Sequence, residues 1–242
     1  MSDNTDNLFS SLRENSAFSF DQQVAEVFPD MITRSVPGYT EIVEGIGHIG
    51  QSFIEHDSLV YDLGCSLGAA TLSIRQQVTD KSYRIVGIDN SEAMVERCKQ
   101  HLAAFKSNIN TIIELADITD YRYQPCSFIV INFTLQFLAP EIRDELLQKL
   151  YQQLIPGGAL VLSEKLAFDD AIVSDKFIEL HHDYKKRNGY SDLEISQKRA
   201  ALENVLIPET KQSHLNRLKA VGFEHAECWF QQYNFASILA IK

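Results

Sequence analysis

A doubly wound α/β domain with a mostly parallel, seven-stranded sheet is the fold that three observations predict. Residues 59–78 read as strand, tight turn and helix: the apolar run Leu59, Val60, Tyr61 meets Asp62, turns through Gly64, Ser66 and Gly68, and passes into a helical stretch. Four further short apolar runs alternate with segments of helical character, the pattern of right-handed crossovers between parallel strands. Two apolar or alternating runs at residues 223–231 and 235–241, a few residues apart, read as a terminal antiparallel hairpin.

The elements follow in order. Residues 1–17 are polar and without periodicity, which predicts a flexible N-terminus ahead of a single domain over 18–242. Residues 18–39, broken by Pro29 and Pro37, read as one short helix and a covering segment. Thr40 is placed to cap a helix carrying Ile42, Val43, Ile46, Ile49, Phe53 and Ile54 at helical spacing, with Tyr39 at its entrance. After the first strand and its helix, residues 83–89 form a second strand, and Asn90 or Ser91 caps a helix to Phe105. Residues 111–117 and 128–133 make the third and fourth strands. A helix from Pro140 or Glu141 to Leu154 stops at Pro156-Gly157-Gly158, and residues 159–165 make the fifth strand. Residues 169–206 carry no strand and read as a helical insertion over the sheet's carboxyl edge. Its first helix ends in Lys185-Lys186-Arg187-Asn188-Gly189, and its second opens on the capping box Ser191-Asp-Leu-Glu194 and carries Lys198 and Arg199 in its middle. A helix over 209–220, closed by Gly222, leads to the hairpin.

Composition narrows the function classes. A chain of 242 residues can bury a substantial core, and 45% hydrophobic with 23% charged residues excludes general disorder. The formal net charge of -11, with no run of basic residues forming a segregated face, argues against direct nucleic-acid binding. Cys65, Cys98, Cys126 and Cys228 stand far apart with no CxxC pair, so they read as reduced structural thiols. The polar, acidic start lacks the pattern of a signal peptide, and no window approaches the roughly 18 apolar residues of a membrane span. These features predict a cytoplasmic protein with no membrane association. Adjacent His181 and His182 point to different sides of a helix and read as surface or interface residues, so no metal is expected.

In an open α/β sheet the ligand lies beyond the carboxyl ends of the strands. The candidates are therefore Gly64, Cys65 and Ser66 after the first strand, Asp89 and Asn90 after the second, Asp117 and Ile118 after the third, and Asn132 after the fourth. An acid after the second strand can accept hydrogen bonds from both ribose hydroxyls, and one after the third can take an adenine amino proton. Singly, Asp89 and Asp117 are as easily read as helix caps or turn formers; together they point to an adenosine-containing ligand. The run Gly64-Cys65-Ser66-Leu67-Gly68 lacks the middle glycine of the dinucleotide fingerprint, and the hairpin also favours S-adenosylmethionine over a dinucleotide. By residue type alone, Tyr39 is a packing aromatic and Arg199 a solvated helix residue beside Lys198.

The stretch Asp62-Leu-Gly-Cys-Ser-Leu-Gly68, with Asp89, Asp117 and the hairpin, resembles the class I S-adenosylmethionine-dependent methyltransferase fold, a Rossmann-like sheet, although Ser66 departs from the usual glycine-rich loop. Over nearly its whole length the chain resembles the bacterial carboxy-S-adenosylmethionine synthase family, which serves tRNA wobble-uridine (cmo5U) modification. The segments that carry this are residues 28–39, 63–71, Asn132-Phe-Thr-Leu-Gln-Phe137 and Gly189-Tyr-Ser-Asp-Leu-Glu-Ile-Ser-Gln-Lys-Arg199. The resemblance implies a transferase that converts S-adenosylmethionine, used as substrate, and prephenate to carboxy-S-adenosylmethionine and phenylpyruvate. It implies Arg199 on the transferred carboxyl group, Tyr39 closing the site, and Gly64, Cys65, Ser66, Asp89, Asn90, Asp117, Ile118 and Asn132 holding the rest. It further implies a homodimer and a downstream tRNA carboxymethyltransferase as user of the product. The residues leave open an ordinary S-adenosylmethionine-dependent methyltransferase acting on a small molecule or tRNA. Lys185, Lys186, Arg187, Lys198 and Arg199 could form a positive rim for a dianion, or the first three only a helix end. Phe177, Ile178 and Leu180 could supply an apolar dimer surface or pack on the sheet.

Overall fold

The computed structural model describes residues 5–10 and 18–242; residues 1–4 and 11–17, most of the N-terminus expected to be flexible, lie outside the described residues. Eight strands are present among the described residues: β1 (Ser58–Leu63), β2 (Tyr83–Asp89), β3 (Asn110–Leu115), β4 (Cys126–Asn132), β5 (Leu154–Ala167), β6 (Glu209–Thr210), β7 (His225–Gln232) and β8 (Phe235–Ile241). Seven form one path in the order β3-β2-β1-β4-β5-β8-β7, and the two-residue β6 pairs beside β5. The pairs from β3 through β5 are parallel, whereas β8 runs antiparallel to both β5 and β7.

Helices cover both faces because successive strand residues point to opposite sides. Val60, Ile85, Phe128 and Val161 pack under Ile42 and Ile46 of α2 (Tyr39–Phe53) and Ile74 of α3 (Ala69–Gln77). Tyr61, Ile88, Ile129 and Leu162 face the other way, against Leu146 and Leu150 of α5 (Pro140–Gln153) and Leu218 of α8 (Lys211–Val221). Val24, Val27 and Met31 of α1 (Gln22–Ser35) pack on Met94 of α4 (Glu92–Ala103). The insertion forms α6 (Ala171–Arg187) and α7 (Asp192–Leu202), the latter opened by the expected Ser191–Glu194 capping box.

Three local expectations are corrected. Pro29 does not break the first helix: α1 runs through it over 14 residues, because the apolar face formed by Val24, Val27 and Met31 outweighs the missing amide. Thr40 is not a cap; Gly38, at φ 72°, takes the N-cap position and lets the chain enter α2 two residues earlier. Pro156-Gly157-Gly158 does not separate α5 from β5. The strand begins at Leu154 and passes through the triplet, where the Gly157 amide donates to the Lys242 carbonyl at 2.8 Å and the Lys242 amide to that of Gly158 at 3.0 Å.

Two buried charge clusters tie the sheet to the segments that wall the site. The Arg143 guanidinium is fully buried; it pairs with Glu209 and donates to the carbonyls of Leu138 (2.8 Å) and Ile207 (2.9 Å), binding the turn after β4 to the segment before β6. Glu209 also takes two hydrogen bonds from Arg217. Burial opposes its ionisation, but Arg217 and Arg143 outweigh burial and bring its carboxyl down to about 2. The second cluster joins the chain's start to the insertion. Asp6, buried within the stretch expected to be flexible, accepts from the Tyr190 hydroxyl and from Lys198 Nζ at 3.2 Å.

Replacing Glu209 with Gln leaves the Arg143 charge buried without its counter-charge. The expected cost is about 3 kcal/mol of unfolding free energy, read as a lower urea midpoint at unchanged slope. Because the folded pKa lies below the ordinary 4.5, the difference between native protein and variant is fully present above about pH 4.5 and disappears as pH falls toward 2.

Candidate active site

β1 stands where the strand order reverses, with β2 on one side and β4 on the other, so the turn after β1 opens at the switch point of the sheet. A cavity of about 920 Å³ lies there. All ten residues singled out in the sequence line it: Tyr39, Gly64, Cys65, Ser66, Asp89, Asn90, Asp117, Ile118, Asn132 and Arg199.

The turn after β1 is built from left-handed residues. Gly64, Ser66 and Gly68 have φ of 70°, 49° and 79°. A Cβ on Gly64 would stand 2.2 Å from Thr134 Oγ1, so the close approach of the β1 and β4 turns requires glycine. Ser66 adopts a backbone that glycine takes at no cost, which accounts for the usual glycine at this point in such loops. Its amide donates to Asp89 Oδ2 at 2.9 Å, while the Ser91 amide donates to Oδ1, so Asp89 joins the first turn to the second. Burial pushes the Asp89 carboxyl up, against these amides. Asp117 Oδ1 accepts from the Thr119 amide and hydroxyl at 2.8 and 2.7 Å. Asn132 Oδ1 is buried with no protein partner among the described residues. The Tyr39 ring leans on Phe133, and burial, then the nearby Asp62, raises its phenol far above the ordinary value. Cys65 is a structural thiol here: its hydrogen bond with Cys98 and burial both push it well up, which removes thiolate character.

The cavity has two electrically different ends. Asp62, Asp89 and Asp117 follow or end β1 to β3. At the other end stand Lys165 near the end of β5, His181, His182 and Lys185 on α6, and Arg199 on α7. Burial, then Lys165, Lys198 and Arg199, pushes the Lys185 ammonium down to about 7. Burial, then Arg199, lowers Lys165. His181 is held well below its ordinary value by burial and Lys185, and one of its ring nitrogens, Nε2, stands 2.8 Å from the Ser35 carbonyl. Among the described residues no carboxylate pairs with Lys165, Lys185 or Arg199.

Several placements differ from expectation. His181 and His182 are not surface residues: both line the cavity, and His181 is buried. The basic run at the end of α6 divides, because Lys185 turns inward while Lys186 pairs with Asp192 outside. Lys198 is no free cation, since Asp6 neutralises it. Ile178 lines the cavity and Phe177 stacks on Phe168 at 4.7 Å; the exposed apolar residues of the insertion are Ile172, Val173 and Leu193. Lys165 went unnoticed in the sequence, and Asp62, though part of the turn motif, was not chosen as a binding residue. Both could have been found by the same rule that selected the others, as charged residues near the carboxyl ends of apolar strands. Asn234, buried and lining the cavity, carried no such signal. Among the described residues no helix is long and apolar enough to cross a membrane, and no group of His, Cys, Asp or Glu is placed to hold a metal ion.

A family model described as a methyltransferase domain matches residues 60–158. The carboxy-S-adenosyl-L-methionine synthase of Erwinia tasmaniensis is 53% identical over 240 residues, covering 99% of this chain and 98% of that one. The protein of the same name from Salmonella paratyphi C is 52% identical over 225 residues, with 93% and 91% covered. Among solved structures, a putative S-adenosyl-L-methionine-dependent methyltransferase from Methanococcus maripaludis superposes with a TM-score of 0.60 at 20% identity, over 96% of this chain and 97% of that one. Human N-acetylserotonin methyltransferase, in complex with S-adenosylmethionine, gives 0.60 at 16% identity, over 91% and 55%. These structures establish the class I methyltransferase fold.

Asp62 supplies a test of the acidic end. Its Oδ2 accepts from the Thr71 amide and hydroxyl at 3.1 and 2.6 Å, yet burial outweighs them and lifts the carboxyl to about 6. A cationic ligand facing it binds the ionised form. Affinity for S-adenosylmethionine, measured by calorimetry, is therefore expected to fall as pH drops below about 6, by up to about tenfold per unit. Asp62→Asn should flatten the profile; a flat profile in the native protein would remove Asp62 from the binding of positive charge.

Proposed function

The chain belongs to the carboxy-S-adenosyl-L-methionine synthase family, and from that premise we propose that it converts S-adenosylmethionine and prephenate to carboxy-S-adenosylmethionine and phenylpyruvate. The observation that carries this reading is the unpaired positive charge of Lys165, Lys185 and Arg199 beside an adenosyl-type cavity. S-adenosylmethionine brings one carboxylate of its own, which a single cation can hold, so three unpaired cations exceed what that ligand alone requires. A site that must also hold a dicarboxylate, and then a new carboxylate on the sulfonium ligand, uses the remainder.

The reaction balances as follows. The bond from the prephenate ring to its carboxyl carbon breaks to release carbon dioxide, hydroxide leaves from the opposite ring carbon with its electron pair, and the ring becomes aromatic. The methyl carbon of the sulfonium loses a proton, which joins the hydroxide as water. The carbanion left beside the sulfonium forms a carbon–carbon bond to the carbon dioxide. In this scheme Arg199 grips the new carboxylate through two parallel hydrogen bonds, and Tyr39 closes the site against water. Gly64, Cys65, Ser66, Asp89, Asn90, Asp117, Ile118 and Asn132 hold the adenosyl part. The synthase name of the relatives does not favour the other reading, methylation of a small molecule or tRNA. The same proposal makes the enzyme a cytoplasmic homodimer whose product serves a tRNA carboxymethyltransferase in forming the wobble uridine.

Mass spectrometry of the adenosyl ligand released after incubation with both substrates checks the reaction. The expected species is heavier than S-adenosylmethionine by one carbon dioxide; recovery of the substrate unchanged would refute the assignment. Arg199→Ala should lower kcat/KM by roughly thirtyfold, about 2 kcal/mol, with Arg199→Lys recovering part of it because a point charge replaces the planar fork.

A further inference from the structure

Lys165 and Lys185 differ from the other cations withdrawn from solvent among the described residues, whose side chains meet either a carboxylate or, for Arg75, Lys81 and Lys242, backbone carbonyls. Lys198 has Asp6, Arg143 has Glu209, Arg217 has Glu209 and Asp144, and Arg34 has Asp30. No carboxylate among the described residues plays that part for Lys165 or Lys185, although Lys185 is only 8% exposed. An inward-turned ammonium without a counter-charge is unfavourable, so a cavity that keeps two of them is arranged for an anion from outside.

The two lysines belong to one wall. Lys165 on β5 lies opposite Phe235 in the β5–β8 register, and the neighbouring Leu166 amide donates to the Asn234 carbonyl at 2.7 Å. The Phe235 ring meets the His181 ring edge-on at 4.9 Å, and His181 precedes Lys185 by one helical turn. A third observation falls on the same wall. Asn234 is 3% exposed and lines the cavity, and its Oδ1 has no protein hydrogen-bond partner among the described residues.

We infer that Lys165, Lys185 and Asn234 form a dicarboxylate-binding subsite separate from the adenosyl pocket, and that it holds the co-substrate of the proposed reaction. The inference rests on that reaction for the identity of the ligand, but on the unpaired charges and the orphaned amide for the existence of the subsite. Two ammonium groups match the two carboxylates of prephenate, one on the ring and one at the end of the pyruvyl arm. The Asn234 amide can serve a carboxylate or the ring hydroxyl. Phe235 supplies an apolar face for the carbocycle between them. Arg199 is thereby left free for the carboxyl group that is transferred.

Calorimetric titration of prephenate into the full chain saturated with S-adenosylhomocysteine tests the subsite without turnover. Lys165→Met and Lys185→Met are each expected to weaken prephenate binding by roughly tenfold or more while leaving S-adenosylhomocysteine affinity unchanged. Lys165→Arg and Lys185→Arg, which keep the charge and guard against misfolding of the methionine variants, should bind more tightly than those variants. Prephenate affinity that is the same in native protein and in all four variants would overturn the inference. Native protein that binds prephenate through these lysines but forms no carboxylated adenosyl product would keep the subsite and overturn the reaction instead.

Discussion

The positive charges that Lys165, Lys185 and Arg199 direct at the cavity, with no acid set against them, are the constraint around which the surrounding structure is arranged. Lys165 cannot withdraw, because its backbone pairs with β8 at Phe235 and its amide donates to Gln136 Oε1 at 2.9 Å. Lys185 sits in the last turn of α6, where the helix dipole favours a cation and where Asp170 caps the opposite end. A further lysine of the cavity lining, Lys198, is neutralised by Asp6 and held by Ser35 and Tyr190. The cavity thus keeps a limited excess of positive charge at one end and acids at the other.

That separation follows from the topology. Strands β1 to β3 deliver their acids on one side of the switch point, while β5 and the helices inserted after it deliver the bases on the other. The arginine cluster under the β4 turn fixes the floor between them: Arg143 holds the carbonyls of Gln136 and Leu138, and buried Glu164, which accepts from the Leu135 amide at 3.0 Å, is lifted by burial to about 8 despite Arg143.

The fold and the acidic lining of the cavity were legible in the sequence because both are local. Apolar runs of strand length, glycines at a turn and an acid after each strand appear as neighbours along the chain, and the cavity gathers Gly64, Ser66, Asp89 and Asp117 as expected. The basic end was not legible, because its character depends on what is missing around each lysine, and pairing across the fold leaves no mark on spacing. Lys185 and Lys186 are adjacent, yet one is buried and the other pairs with Asp192 outside. Lys198 and Arg199 are neighbours too, and only Asp6, in a stretch without periodicity, sets Lys198 apart by pairing with it. Pro29 misled for a related reason: a proline's local cost is visible in sequence, and the packing that outweighs it is not.

Asp6 joins Tyr190 and Lys198 across 184 and 192 residues of chain. Closing so long a loop gives no reward until Tyr190 and Lys198 are both available. During synthesis the central strands can pair while the cover over the cavity is still absent, since both its anchoring partners emerge late. The pocket therefore becomes whole only after Lys198 has been made, and a chain stopped before it carries β1 to β5 without the enclosure of the site.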